Sequence, residues 1–297
     1  MNSKQKIIDM LMQEVERRYG IAPGNQVERK LVRIFEVMGT TDTVFWGREM
    51  LSPDAPESEW LSLVECLTVH ETYFNRDKEL IAVLAAELLP QMIAQKQQSG
   101  DLRLRVWSAG CSSGEETYNL AMLVLMAMET AGSARECADG SIVPLPGWNI
   151  SVLGSDISVP MIRMAENATY STVEMGSFRT MDPQLWRFFD QIEEQERNRS
   201  HGRSMRVKRC VSEITGFRHH NLLEPLLEEE PFDLVICRNV LIYFNKYKKN
   251  VQVHLSASLA PGGTLMLGAT DTLLCRDGLE PHHRDGVFWY VKTATGG

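Results

Sequence analysis

A turn of small residues is the first stretch of the sequence that could bind a ligand. Residues 108–114 read SAGCSSG, between an apolar run at 104–107 and a run at 115–130 that contains no proline or glycine. A strand, a glycine turn and a helix in this order let a nucleoside ligand approach bare backbone at the carboxyl end of a sheet. Gly110 and Gly114 would permit such an approach. The same pattern also fits an ordinary strand-to-helix turn.

Two carboxylates, Glu115 and Glu116, follow this turn where the helix is predicted to begin. The helix dipole favours negative charge at that end. No lysine follows Gly114, so the turn lacks the phosphate-loop pattern GxxxxGK[ST]. Two carboxylates would repel a pyrophosphate, whereas they suit a ligand that carries a positive charge, such as an amino acid ammonium or a sulfonium.

A third acid, Asp156, follows the strand-like run 149–154. An acid at the carboxyl tip of the second strand can bind ribose hydroxyls. The usual interval from the glycines is about 20 residues. Here the polar insertion at 132–147 lengthens that interval, and Ser158 can cap the helix that follows.

Two amides also follow predicted strands. Asn221 comes after the strand at 214–219, where it could bind an adenine edge or cap a turn, and Asn239 comes after the continuous apolar strand at 232–237. Parallel strands end at a common edge, so the strand tips near residues 109, 156, 221 and 239 are expected to meet there.

A polar and aromatic segment, TVHETYFNRD, lies upstream at residues 68–77. His70, Thr72, Tyr73 and Arg76 place hydrogen-bond donors and a cation in one short linker. Such a composition differs from core packing and marks the segment as a candidate part of a site.

The elements that must position these residues change in type along the chain. Ile7, Leu11 and Val15 recur at helical spacing and Gly20 stops the helix. From residue 102 strands alternate with helices, which predicts an α/β fold with a parallel sheet. Further helices are predicted at 27–38, 57–67 and 77–98.

Residues 170–213 break the alternation and are interpreted as an inserted subdomain. Its segment 197–209 contains six cations and no acid, which fits either a solvated hairpin or a docking surface. The six cations are Arg197, Arg199, Arg203, Arg206, Lys208 and Arg209.

The composition of the chain limits the classes of function that it can have. The 297 residues suit one large domain or two, and the formal net charge of −8 argues against general nucleic-acid binding. Six scattered cysteines without a CxxC pair indicate reduced thiols and no zinc site. The charged N-terminus does not resemble a signal peptide, and no apolar run reaches the roughly 20 residues of a membrane span.

Five motifs in order resemble the chemotaxis receptor methyltransferases, the CheR family. They are SAGCSSGEETYNLAM, LGSDIS, HNLL, FDLVICRNVLIYF and LAPGGTLMLG, and the upstream HETYFNRD segment resembles the same family's signature. The resemblance runs from about residue 5 to residue 292. It implies a Rossmann-like methyltransferase domain at 99–297, an N-terminal helical domain with its linker at 1–98, and a small inserted β subdomain at about 170–213.

The resemblance also implies residue roles. Glu115 matches the acid that meets the methionine ammonium of S-adenosylmethionine, with Glu116 beside it, and Asp156 matches the ribose acid. Arg76 and Tyr243 are the candidate catalytic residues that hold the acceptor. Cofactor contacts are implied for His70, Thr72, Arg76, Ala109, Gly110, Glu115, Asp156, Asn221, Leu222, Arg238 and Asn239.

The chain departs from the family pattern at three places. His70 stands where the family more often has asparagine, and Asn75 replaces a common phenylalanine. The segment 269–271, Ala-Thr-Asp, differs from the more usual Ser-Glu.

The implied activity is methylation of glutamate side chains in the cytoplasmic helical region of chemoreceptors, with S-adenosylhomocysteine as the product. A receptor tail peptide is a further implied partner, and the protein is expected to be a cytoplasmic monomer without a metal. Two alternatives stay open at this stage. One is a regulatory module that binds the cofactor without turnover, and the other is a methyltransferase of the same fold with a different substrate.

Overall fold

A computed structural model of the chain describes residues 3–38, 40–173, 176–192, 203–276 and 278–293. Its centre is a seven-stranded sheet in the order β11-β12-β10-β9-β1-β4-β8. The five strands from β10 to β8 are parallel, and β12 and β11 extend the sheet as an antiparallel hairpin. The α/β fold class predicted from the alternating pattern is therefore confirmed.

The strands of the main sheet begin and end close to the apolar runs of the sequence. Their carboxyl ends meet at one edge, where the predicted site residues follow them. The bounds are β1 (Arg103–Ala109), β4 (Asn149–Asp156), β8 (Thr215–His219), β9 (Phe232–Cys237), β10 (Leu259–Leu267), β11 (Leu279–Arg284) and β12 (Val287–Lys292). Strand β10 contains Pro261 and the two glycines that follow it, and its register against β9 shifts between Leu259 and Thr264.

Helices cover the sheet and fill the N-terminal third of the chain. Helix α7 is buried along nearly its whole length because it packs against the sheet. The bounds are α1 (Ser3–Tyr19), α2 (Asn25–Met38), α3 (Thr40–Met50), α4 (Glu57–Leu67), α5 (Lys78–Val83), α6 (Leu89–Ser99), α7 (Glu115–Thr130), α8 (Val159–Asn167), α9 (Arg209–Ser212) and α10 (Lys248–Ala257).

A π turn, Leu84–Leu88, joins α5 to α6 in one continuous helical stretch. Pro90 has no backbone N–H, so the ordinary bond to the carbonyl four residues earlier cannot form there. The Leu89 N–H instead donates to the Leu84 carbonyl, five residues back.

Two small antiparallel sheets lie beside the main sheet. The polar insertion at 132–147 forms the hairpin of β2 (Ala134–Glu136) and β3 (Ile142–Pro144). The region interpreted as an inserted subdomain contains β5 (Thr169–Ser171), β6 (Phe189–Ile192) and β7 (Ser204–Val207) in the order β5-β7-β6. A short 3-10 helix, Pro183–Phe188, precedes β6. Residues 193–202, with Arg197 and Arg199, lie outside the described residues.

The N-terminal helices have their own apolar cluster, which includes Leu11, Leu31 and Trp60. Backbone contacts fasten this cluster to the sheet edge. Ala22 N–H donates to the Tyr243 carbonyl at 2.8 Å, and a single β-bridge pairs Ile21 with Phe244. The helical region and the sheet edge consequently share a boundary at the site described below.

Two findings concern the cysteines and the possibility of a membrane-spanning helix, both of which were discussed from the composition. The six cysteines are all free. Within the described ranges, no helix is both long enough and apolar enough to cross a membrane.

Candidate functional site

A cleft lies at the carboxyl ends of the parallel strands, which is where open α/β sheets bind their ligands. The linker at 68–76 closes one side of it, and the segment at 238–244 closes another. The predicted residues that line the cleft are His70, Thr72, Arg76, Gly110, Asp156, Asn221, Leu222, Arg238, Asn239 and Tyr243.

Two predicted residues, Ala109 and Glu115, do not line this cleft. Ala109 is fully buried at the end of β1, directly before the turn. Ala109 packs beneath the glycine turn. Its methyl group does not face the cleft, so its position does not match the predicted direct contact with the cofactor.

The glycine turn brings bare backbone close to the opposite wall of the cleft. Gly110 has a φ of +83°, and a Cβ atom at this position would lie 2.3 Å from Val240 Cγ2. Only glycine fits such an approach. The N–H groups of Gly110 and Cys111 both donate to the Ser155 carbonyl, at 2.7 and 2.9 Å, which ties the turn to β4.

Asp156 is buried at the tip of β4 and accepts two backbone hydrogen bonds. The Ser112 N–H donates to Oδ2 at 2.8 Å, and the Ser158 N–H donates to Oδ1 at 2.9 Å. Burial raises the pKa of the Asp156 carboxyl, and the two backbone donors oppose that rise. One carboxylate thus orients both the glycine turn and the start of α8.

The assignment of Glu115 to the ligand is corrected by the structure. Glu115 is 2% exposed, and its two oxygens accept from the hydroxyls of Ser113 and Ser177, each at 2.7 Å. Glu116 lines the cleft instead. Successive residues of a helix point about 100° apart, so only one of two adjacent acids can face the cleft.

Glu116 is held in place by two donors. The Ser108 hydroxyl donates to Oε1 at 2.7 Å, and the Arg238 Nε donates to Oε2 at 2.6 Å. The side chain of Arg238 is 4% exposed and also donates from Nη1 to Asp77 Oδ2 at 2.8 Å. Arg238 therefore lies between two carboxylates, and the Arg238 guanidinium orients Glu116 toward the cleft.

The burial of Glu115 predicts a pH effect on stability. Burial raises the pKa of Glu115 above its ordinary value of 4.5. The folded chain then binds this proton more tightly than the unfolded chain does, so the contribution to stability is fully present below the unfolded pKa and is lost as pH rises through the folded pKa. Glu115→Gln cannot ionise, so its free energy of unfolding should gain on the wild type as pH increases.

Urea unfolding of the wild type and Glu115→Gln between about pH 4 and pH 8 measures this difference. Glu129→Gln, at a partly exposed acid on the same helix, serves as the control. Parallel stability curves for the wild type and Glu115→Gln would contradict the assignment.

The linker at 68–76 is fixed by its own hydrogen bonds. The His70 Nε2 lies 2.9 Å from Thr68 Oγ1, and the His70 carbonyl accepts from the Ser112 hydroxyl at 2.9 Å. Arg76 Nη1 donates to the Glu71 carbonyl at 2.7 Å. The linker thereby holds the Arg76 guanidinium at the cleft wall and contacts the glycine turn directly.

Asn75, the departure beside Arg76, has a structural part in the linker. It is buried with a φ of +57°, and its N–H donates to Asn119 Oδ1 at 2.9 Å. Asparagine tolerates this left-handed conformation better than most residues. The substitution thus fits a turn that fastens the linker to α7.

The opposite wall carries Tyr243, whose hydroxyl accepts from the Val69 N–H at 3.0 Å. Burial raises the pKa of Tyr243, so the phenol stays protonated. Asn239 has a φ of +58°, and its Oδ1 is buried without a hydrogen-bond partner among the described residues. The two residues present polar groups beside the linker that carries Arg76.

Asn221 caps a turn, which was one of the two roles left open for it. Its Oδ1 accepts from the Leu223 N–H at 3.1 Å, and its Nδ2 donates to the Arg18 carbonyl at 2.8 Å. The Asn221 side chain therefore joins the sheet edge to the end of α1. Leu222, next to it, offers an apolar side chain to the cleft.

Sequence reasoning missed several residues of the lining, among them His220, Ile157 and Cys111. Burial lowers the pKa of His220 to about 4, so the ring is neutral at physiological pH. Its ring lies 6.0 Å from that of Trp107. The position of His220 directly before Asn221 was the only signal in the sequence. Among the described residues no cluster of His, Cys, Asp or Glu side chains could hold a metal ion.

Comparisons with known proteins point to one family. A family model described as "CheR methyltransferase, SAM binding domain" matches residues 70–283. The chain is 35% identical over 214 residues to chemotaxis protein methyltransferase 1 of Vibrio cholerae, covering 72% of this chain and 68% of that protein. It is 34% identical over 213 residues to chemotaxis protein methyltransferase 1 of Pseudomonas aeruginosa, covering 71% and 69%.

Proposed function

Because this chain belongs to the CheR methyltransferase family, we propose that it methylates glutamate side chains in the cytoplasmic helical region of chemoreceptors. The cofactor is S-adenosylmethionine, and the products are glutamyl methyl esters and S-adenosylhomocysteine. The observation that carries the proposal is the cleft itself, whose lining combines the acids Glu116 and Asp156 with Arg76 and Tyr243.

The residues of the cleft fit the chemistry of this cofactor. Asp156 suits the ribose hydroxyls, since it stands at the tip of the second parallel strand. Glu116 suits the ammonium, because its carboxylate lines the cleft. Leu222 and Ile157 supply apolar surface for the adenine ring. Gly110 lets the backbone of the turn lie against Val240 at the wall of the cleft, where a Cβ atom would clash.

S-adenosylmethionine supplies a methyl group on a positively charged sulfur that is already a good leaving group. A glutamate carboxylate is ionised at neutral pH, so no general base is needed. The carboxylate oxygen forms the new O–C bond while the electron pair of the C–S bond goes to sulfur. The protein must hold that oxygen in line behind the methyl carbon, about 3 Å away.

Arg76 and Tyr243 hold the acceptor in this proposal. Attack neutralises the charge of the carboxylate, so a tight ion pair with Arg76 would stabilise the ground state more than the transition state. The Arg76 guanidinium already donates to the Glu71 carbonyl, and the Tyr243 phenol stays protonated. Both groups consequently make positioning contacts through hydrogen-bond donors.

The direct test uses methyl-labelled S-adenosylmethionine and a purified receptor cytoplasmic fragment. Methyl esters release labelled methanol on treatment with base, and a receptor with its target glutamates replaced by alanine is the control. Base-stable label would indicate a different acceptor. Binding of S-adenosylhomocysteine without any transfer would indicate a regulatory module.

Two basic surfaces are candidates for receptor docking. Arg29 and Arg33 are exposed on α2. Lys30, which follows Arg29 in the sequence, donates from Nζ to the Thr68 carbonyl at 2.6 Å, and burial lowers its pKa. Lys30 therefore fastens α2 to the linker, and the α2 surface consists of Arg29 and Arg33.

The second surface lies on the inserted sheet and suits a receptor tail peptide. Arg203 and Arg206 are exposed there. Lys208 donates to the Asp139 carbonyl at 3.2 Å, and Arg209 pairs with Glu213 at 2.6 Å. Arg203 and Arg206 are thus the described cations of this surface with which a tail would pair.

Charge reversal of Arg29 and Arg33 should raise KM for the receptor roughly tenfold, which is about 0.7 kcal/mol for each charge. A chain with net charge −8 attracts an acidic partner only through a local basic surface. The defect should shrink with added salt because the wild-type attraction is screened. Steady-state methylation at low and high ionic strength measures it.

Reversal of Arg203 and Arg206 is the matched comparison, with an effect expected only for receptors that carry a tail. Affinity for S-adenosylhomocysteine should be unchanged in both double variants. Normal receptor kinetics for the α2 variant at low salt would exclude α2 as the docking surface.

Two broader assignments accompany this function. Residues 1–98 form a helical domain with its linker, and residues 99–297 form the methyltransferase domain with the insert at about 170–213. The protein acts as a monomer in the cytoplasm, where the receptor regions that it methylates are located.

A further inference from the structure

An outer groove lies on the far side of Tyr243 from the cleft. It runs between residues 22–27, which connect α1 to α2, and residues 242–248, and Leu274 lies at its edge. Tyr243 and Phe244 line both the cleft and the outer groove. The outer groove therefore adjoins the wall at which the acceptor is held.

The backbone of the outer groove is fixed without a partner. The Ala22 N–H donates to the Tyr243 carbonyl at 2.8 Å, and the bridge between Ile21 and Phe244 continues this pairing. Lys246 Nζ pairs with Glu16 of α1 at 2.8 Å. A surface that is already ordered loses little conformational entropy when a partner binds.

The rim of the outer groove exposes two large apolar side chains. Ile242 is 61% exposed and Leu274 is 55% exposed. Ile242 is the residue directly before Tyr243, so its side chain stands next to the acceptor wall. Exposed apolar groups beside a groove are typical of protein interaction sites.

A cation, Lys248, lines one end of the outer groove from the first turn of α10. The helix dipole disfavours positive charge in this turn. The carboxylate of Asp271 lies 3.9 Å from Lys248 Nζ. This end of the groove is suited to an anion.

We infer that the outer groove binds the acidic, amphipathic receptor segment that carries the target glutamate. Ile242 and Leu274 pack against the apolar side of that segment, and Lys248 pairs with an acid of the segment. The target side chain then reaches the cleft past Tyr243. This inference rests on the proposed function and adds the route by which the substrate enters.

The α2 surface extends the same path. Gln26 lines the outer groove, and Arg29 and Arg33 follow it at helical spacing on the same face of α2. An acidic segment lying in the outer groove would therefore meet Lys248 of α10 on one side and the arginines of α2 on the other.

Kinetics of two single variants test the inference. Ile242→Ser removes apolar contact area and Lys248→Glu reverses a charge, so each should raise KM for the receptor fragment about fivefold or more while kcat at saturation stays near the wild-type value. The matched controls are Leu227→Ser, at a side chain that is 83% exposed elsewhere, and Arg135→Glu, at an exposed cation on β2. Unchanged KM in both groove variants would overturn the inference.

Site-specific photocrosslinking supplies a test that does not depend on turnover. A photoreactive amino acid at position 242 should capture the receptor fragment next to its target glutamate, whereas the same group at position 227 should not. Capture at 227 but not at 242 would place the receptor on a different surface. If the wild type transfers no methyl to the receptor, the proposed function fails; if it does so and position 242 captures nothing, only the outer groove is excluded.

Discussion

Arg76→Ala is expected to lower kcat for receptor methylation about 100-fold, since displacement of a reacting group by about 1 Å can cost that much. The Arg76 guanidinium stands at the cleft wall because it donates to the Glu71 carbonyl. Alanine removes both that anchor and the donor to the acceptor. Affinity for S-adenosylhomocysteine should change far less, because Asp156 and Glu116 are untouched.

Single-turnover methylation combined with calorimetry separates the two effects. Arg76→Lys keeps the charge without the planar fork and should recover only part of the rate. Tyr243→Phe should slow the reaction less, since the ring remains while the bond from the Val69 N–H is lost. Normal rates in both Arg76→Ala and Tyr243→Phe would refute the assignment of the acceptor side.

Asp156→Ala is expected to weaken binding of S-adenosylhomocysteine about 10- to 150-fold, which corresponds to the roughly 1.5–3 kcal/mol of a hydrogen bond to a charged group. The loss has two sources. The carboxylate no longer reaches the ribose, and the Ser112 N–H loses its acceptor in the glycine turn. Ser112 has a φ of +50°, so the turn depends on such support.

Asp156→Asn separates the two sources because an amide oxygen can still accept one backbone hydrogen bond. Titration calorimetry with S-adenosylhomocysteine should place this variant between the wild type and alanine. The denaturation midpoint of each variant shows whether the fold is retained. Wild-type affinity in a folded Asp156→Ala variant would remove Asp156 from the site.

Local patterns were sufficient for much of the architecture. The glycine turn, the apolar runs and the caps specify β1, β4 and β9, and parallel strands must end at a common edge. The cleft forms there, with Gly110, Asp156 and Asn239 in its lining. These features depend on sequence neighbours, so a single sequence contains them.

The features that were mispredicted depend on contacts between distant segments. The phase of α7 against the inserted region buries Glu115 on Ser177 and leaves Glu116 to the cleft. Lys30 belongs to a run of charged residues on α2, but its ammonium donates to the linker carbonyl of Thr68. The hydrophobic pattern of α7 does not predict which of the two adjacent acids is buried, because both lie in its first turn.

The pairing of Ile21 with Phe244 has a consequence for how the chain is made. The ribosome delivers these two residues roughly 220 positions apart, and at about 5–20 residues per second this takes about 10–40 seconds. During that interval Tyr19 and Ile21, buried in the finished protein, lack the strand segment that covers them. Until the last third of the chain has been synthesised, the helical region of the nascent chain therefore exposes an apolar edge. Chaperones bind surfaces of this kind.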